Sequence, residues 1–305
     1  MFSASYTAIL ILSYVLSTFS TFIIWSVRTK DTRHFTYLVT VGKVFNFLFL
    51  FVWNIVLQPE FLEEVICLRM HGIASNLCKY GVHLCVCVAL ILISATSLYY
   101  VTCAVCYLLT FRFPKIEKKL FSARYLTIVF FVYFFDCTLV FGLVYEAVNL
   151  EAFPTENNVA CYVLSTEHLS TFIAITSSIH VIFKSTTATV MLTLLVRFLR
   201  KNETATNKEK IKTAIRTLII LSSVPLTMCA LPFASIFIWS LFVSSSSALA
   251  LFSNISSHVA MMHSSVLMVT TLLLLKPYRS AVFRLLRRKK VVQPVFIVNT
   301  NSGNR

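Results

Sequence analysis

Three ionisable residues stand inside apolar runs: Asp136 in "FFVYFFDCTLVFG", and His180 and Lys184 in "AITSSIHVIFKSTTATV". An isolated charge at the middle of a membrane helix costs about 2.5–3.5 kcal/mol, so such residues default to a pairing or a functional role. Asp136 and Lys184 have opposite charges and lie near the centres of consecutive runs, at similar depth if those runs cross a bilayer. A direct pair would neutralise both. His180 is one helical turn before Lys184 and shares its face. The chemistry open to this trio is ionic recognition of a polar group in an apolar setting. The plainer alternative is a pair that only orients two helices.

Other polar and aromatic residues sit in runs of the same kind. His168 heads the run that holds Lys184, His258 and His263 lie in the last run, and Trp239, Phe237 and Phe233 lie in the run before it. The candidate ligand lining is therefore His180, Lys184, Asp136, Trp239, His258 and His263. A mostly apolar cavity with few polar groups suits a small organic molecule. Each histidine also reads as a hydrogen-bonded packing residue, and each aromatic as one that packs against lipid. The histidines are not spaced as a ligand set on one helix, so no metal and no cofactor is expected. Cys103 and Cys106 form a Cys-x-x-Cys inside an apolar run, where buried structural thiols are the expected reading. Ser, His and Asp are scattered with no nucleophile-elbow context, so no enzyme is read.

The elements that must position these residues follow from composition. Of 305 residues, 57% are hydrophobic and only 13% charged, with a mean hydropathy of +0.80 and 5 glycines. A soluble domain is about 45–50% apolar and about a quarter charged. The excess is arranged in seven runs, at about 5–27, 35–57, 80–109, 125–148, 167–196, 217–243 and 251–275. Each is long enough to cross a bilayer as a helix and too long for a barrel strand. The first run is too long for a cleaved signal sequence and reads as an uncleaved anchor. The expected fold is an all-α membrane protein, a seven-helix bundle over 1–276 with a basic tail at 277–305.

Charge orients the bundle. All Lys and Arg residues except Lys43, Arg69, Lys79 and Lys184 fall in the first, third and fifth connections or in the tail. By the positive-inside rule the N-terminus faces outside and the tail is cytoplasmic. The net charge of +15 is thus a topology signal. No soluble basic face for nucleic acid accompanies it. Lys43, near the inner end of its run, is expected to snorkel. In the tail, Tyr278, Ala281, Val282, Leu285 and Leu286 share one helical face with Arg284, Arg287 and Arg288 opposite. That predicts an amphipathic helix at about 278–290 lying on anionic inner-leaflet lipid.

Cys161 falls in the second outer connection, and Cys67 and Cys78 lie in or near the first. A bridge from the outer loop to the head of the third run is expected, with Cys78 as the preferred partner and connectivity not fixed by sequence. Of two sequons, Asn202-Glu-Thr is on the inner side and is expected to stay unmodified. Asn254-Ile-Ser abuts the last run.

Three segments carry a family resemblance. "HSSVLMVTTLLLLKPYR" (263–279) is similar to the seventh-span ending of nematode serpentine chemoreceptors of the Srh/Str type, where a His and small residues lead to Pro-Tyr-Arg. "KEKIKTAIRTLIILSSVPLT" (208–227) resembles their basic third inner loop entering a proline-bearing span. "CYLLTFRFP" (106–114) resembles their third-span exit, with Arg112 as the match. The chain lacks the Asp-Arg-Tyr and Asn-Pro-x-x-Tyr motifs of rhodopsin-like receptors. The resemblance implies a G-protein-coupled chemosensory receptor for a small molecule, in the plasma membrane and more narrowly the ciliary membrane of sensory neurons. It implies an activation hinge at Pro225 and Pro232, which would kink the sixth span. It also implies a G-protein surface at Arg112, Arg216 and Arg279. A seven-span transporter or ligand-gated channel is the competing expectation.

Overall fold

The computed structural model describes residues 2–27, 33–62, 67–112, 122–146, 157–162, 167–201, 215, 219, 223–242, 247–274 and 276–286. The long helices are α1 (Phe2–Ser26), α2 (Arg33–Phe51), α3 (Lys79–Arg112), α4 (Ala123–Glu146), α5 (Glu167–Lys201) and α7 (Ser247–Leu274). Shorter ones are α6 (Leu231–Phe242) and α8 (Lys276–Leu286). Apolar runs of this length become helices because a helix satisfies every backbone donor and acceptor internally, as a lipid setting demands. Among the described residues, six segments are long and apolar enough to cross a membrane: those of α1 to α5, with the second including the turn after α2, and that of α7. The 217–243 run is described only in part, so its full length lies outside the described residues.

Where helices end, the sequence supplies a reason. After α2 the chain makes a π-type turn (Val52–Leu57) and stops at Gln58, which adopts a left-handed conformation with φ of 46°. Gln58 N–H closes on Trp53 O at 2.9 Å, and Pro59 follows. Before α6 a second π-type turn (Leu226–Ala230) sits between Pro225 and Pro232. π-type turns and prolines are recognised sites of helix bending. The irregularity therefore coincides with the expected hinge, while its role in switching is a separate matter.

The packing places α3 at the centre, in contact with α2, α4 and α5, while α7 packs against α1, α6 and α8. Helix α4 lies on the outside, its Phe130, Phe131, Phe134 and Phe135 exposed. Helices α1 and α7 run parallel. Near their beginnings both meet the same strand, and near their ends Ile23, Ile24 and Leu272 pack with Tyr278 and Ala281 of α8. Hydroxyls join them along the way: Ser13 Oγ lies 2.8 Å from Ser265 Oγ, and Ser20 O–H donates to Met268 Sδ at 3.1 Å.

One feature departs from an all-helical expectation. The connections after α2 and α4 pair as a three-stranded antiparallel sheet, β1 (Pro59–Phe61), β2 (Cys67–Met70) and β3 (Val159–Cys161), in the order β1-β2-β3. The sheet caps one end of the bundle over Tyr6, Trp53, Leu57, Val82 and Met261. Asn254 of α7 clips β1 with both halves of its amide. Phe61 N–H donates to Oδ1 at 3.0 Å, and Nδ2 donates to Phe61 O at 3.1 Å. Tyr6 O–H donates to Pro59 O at 2.8 Å. Asn254 is thus committed to a buried structural contact, which accounts for its place in an otherwise apolar run.

Candidate functional site

Three helices bring one polar cluster together in the middle of the bundle. Lys184 of α5 donates to Asp136 Oδ2 of α4 at 2.8 Å and pairs ionically with Oδ1 at 2.7 Å. Ser94 of α3 ties the pair to the central helix. Its hydroxyl donates to Asp136 Oδ2 at 2.8 Å and accepts from Lys184 Nζ at 2.6 Å. Asp136 and Lys184 are 6% and 8% exposed, so the pair is cut off from solvent and must be satisfied within the protein. It is: every close donor meets an acceptor. An amine within 2.8 Å of both oxygens of a carboxylate acts as an ammonium, so Lys184 takes no proton from Ser94. The Ser–Lys contact is therefore a structural bridge, unlike a nucleophile with its base.

His180 completes the group. Its Nε2 stands 3.1 Å from Asp136 Oδ1, within ion-pair range, yet it is buried and out of line for a hydrogen bond. A bare nitrogen lone pair that close to a carboxylate would be repelled, so Nε2 carries the hydrogen. Its side chain is 19% exposed, more than its partners'.

The remaining lining residues lie elsewhere. His258 staples α7 to α1: Nδ1–H donates to Asn254 O at 2.8 Å, Ser5 Oγ is 3.0 Å from Nε2, and the ring stacks on Tyr6 at 4.5 Å. His263 is buried and donates from Nδ1 to Ala260 O at 2.6 Å, within its own helix. Trp239 is partly exposed and packs on Phe252 with ring centroids 5.6 Å apart. Among the described residues, no hydrogen bond, ion pair or ring contact joins these three to the Asp136 cluster. Of the six expected lining residues, the structure gathers Asp136, His180 and Lys184. Pro225 is buried at the head of its π-type turn, and Pro232 is partly buried just beyond it. Arg279 is exposed on α8, the Arg112 side chain and all of Arg216 lie outside the described residues, and so do Phe233, Phe237 and His168 as side chains.

Two expectations need correction. Cys161 is bonded to Cys67, and Cys78 is an exposed free thiol. The register of β2 and β3 sets Cys67 directly opposite Cys161, whereas Cys78 lies past a short turn at the head of α3. Lys43 does not snorkel. It is 7% exposed, and its ammonium donates to Ser20 Oγ at 2.6 Å and Thr21 Oγ1 at 2.9 Å on α1. Those hydroxyls satisfy it in place, so the side chain has no need to reach the surface. Sequence reasoning also missed Ser94, the residue that joins the charge pair to α3. Its signal was only its position in the central run, at the depth of Asp136.

Among the described residues, no group of three or more His, Cys, Asp or Glu is assembled for a metal. The chain matches no protein-family model, and no curated protein matches it. Fold and composition define the class: a helical membrane protein with an ionic cluster buried at the junction of three of its helices.

Proposed function

We propose that the chain is a seven-span G-protein-coupled chemosensory receptor, with the sheet end outside and the basic tail in the cytoplasm. The observation that carries this reading is the Asp136–Lys184–Ser94 cluster, held between three separate helices. A ligand that competes for any of its bonds changes how α3, α4 and α5 pack, and so biases a two-state bundle. The chain path supports seven crossings. Helix α5 ends near Leu199, which packs with Leu108 at the far end of α3, whereas α7 begins at the sheet end beside Phe61. In this reading the connection from α5 to α7 returns across the bundle through the run at 217–243. Parallel α1 and α7 agree with that count.

The basic connections, the resemblance to nematode Srh/Str-type receptors, and α8 packed against α1 and α7 support a G-protein contact at the tail end. Arg112, Arg216 and Arg279 would form part of that surface, and α8 would lie along the inner leaflet. The turn between Pro225 and Pro232 would supply the hinge. The protein would act in the plasma membrane, more narrowly in the cilia of sensory neurons, on a small environmental or signalling molecule. The test is a ligand-panel screen in cells that report G-protein activation. Ligand-dependent nucleotide exchange is expected. A second reading draws on the same cluster, because intramembrane charges also line ion pathways. A ligand-evoked current in cells without G proteins would overturn the receptor and establish the channel or transporter.

A further inference from the structure

We propose that the free face of α8, formed by Arg279, Phe283 and Arg284, docks on anionic phospholipid of the inner leaflet, so that lipid charge sets how firmly α8 grips the ends of α1 and α7. This deepens the receptor reading and rests on it only for placing the tail inside. The apolar stripe expected to meet lipid is Tyr278, Ala281, Val282, Leu285 and Leu286. The structure spends the first three on protein instead. Tyr278 and Ala281 are buried, Val282 is partly buried, and all three pack with Ile23, Ile24 and Leu272. Helical steps of about 100° per residue set Phe283 on the far side of α8 from Tyr278 and Ala281. It is 50% exposed. Arg279 and Arg284 fall to either side of it and are exposed as well. The surface that α8 turns away from the bundle is thus an aromatic ring between two guanidinium groups.

Charge complementarity selects the occupant. Among the described residues neither arginine has an ion pair, and Arg284 donates only from Nε to Ser280 O at 3.3 Å. The sequence offers no nearby carboxylate either. No Asp or Glu follows Glu209, while 276–290 holds seven Lys and Arg. The partner of this face is therefore an anion from outside the chain, and a guanidinium fork matches phosphate. Position selects phospholipid. A single residue separates α8 from α7, whose last two residues, Leu273 and Leu274, are 53% and 44% exposed. An apolar surface thus ends where the cations begin, the arrangement that binds anionic lipid beside a membrane helix. Phe283 can enter the acyl boundary while its neighbouring arginines stay with the phosphates. Because the other face of α8 is seated on Ile24 and Leu272, lipid that holds the free face also holds the seat.

The test is amide hydrogen exchange on the full chain in nanodiscs, read by mass spectrometry over 276–286. Neutral phosphatidylcholine is compared with the same lipid carrying about a third phosphatidylserine. The expected result is exchange slowed about fivefold or more by phosphatidylserine, with slower exchange also at 20–26 and 268–274, where α8 is seated. Salt at about 1 M should erase most of the difference, because it shortens the screening length to about 3 Å. Phe283→Ser combined with Arg284→Gln should remove the lipid dependence. Both side chains are exposed, so the variant keeps the seat and the fold. Equal exchange in the two lipids, or a dependence that survives the double variant, overturns the proposal. Slowing that requires an added G protein and ignores phosphatidylserine assigns the face to protein and overturns it too. Neither substituted residue belongs to the G-protein surface proposed above, so ligand-evoked nucleotide exchange is read independently. Its absence removes the receptor reading and leaves the lipid result standing, and nucleotide exchange without lipid dependence does the reverse.

Discussion

At the scale of residues, the cluster's energetics are those of a buried ion pair, in which one partner removed is worse than two. Breaking such a pair typically costs about 3–5 kcal/mol, because it strands a charge. Asp136→Asn and Lys184→Met should each lower the thermal unfolding midpoint of the detergent-solubilised protein. The double variant should recover most of the loss, and strictly additive losses would show that the two side chains do not depend on each other. The pair was legible in the sequence because an Asp and a Lys at matched depth in apolar runs leave each other as the cheapest partner. Ser94 was not, since serines are common in these helices and only packing tells which one faces the pair. Tyr278 yields a pH prediction. Burial against Ile24 and Leu272 raises its phenol from 10.0 to about 12. The folded state therefore holds that proton longer than the unfolded state does. The linked stability is intact below pH 10 and drains away as pH rises from 10 to 12. Tyr278→Phe should make the unfolding midpoint fall less steeply across that window.

At the scale of elements, the sheet and its disulfide organise the capped end. Cys67 and Cys161 close a loop with a sequence separation of 94, a size for which chain-entropy reasoning gives about 4–5 kcal/mol of stabilisation. Cys67→Ser should destabilise the protein strongly, and Cys78→Ser should leave the unfolding midpoint within error. Non-reducing peptide mapping should recover Cys67 linked to Cys161 and Cys78 alkylated. The strands were not legible because each is only three or four residues long and pairs across distant connections. Hydrophobic periodicity needs longer windows than that. The pairing, and hence the disulfide, becomes visible only once α3 brings the two connections together. Helix packing gives a second test. Gly42 of α2 abuts the Tyr99 ring of α3 with no room for a methyl group. Gly42→Ala should cost about 1–3 kcal/mol, the usual range for overpacking, and a companion Tyr99→Leu change should relieve part of it.

At the scale of the whole molecule, the apolar runs made most of the architecture readable, since length and composition alone identify helices that can cross a membrane. The proposed orientation has a direct check. Asn202 should carry no sugar when the protein is made in cells that glycosylate, whereas a sequon engineered into 151–156 should be modified. Sugar on Asn202 would invert the topology. The seam between α1 and α7 has a consequence for biogenesis. Ser13 and Ser265 are separated by 252 residues, and ribosomes add roughly 5–20 residues each second, so the first helix waits on the order of 10–50 s for its mate. During that interval Ser13 and Ser20 have no seventh helix to bond, although Lys43 can already engage Ser20 and Thr21 once α2 has emerged. The early α1–α2 hairpin is therefore the unit that the insertion machinery must shelter until synthesis is nearly complete.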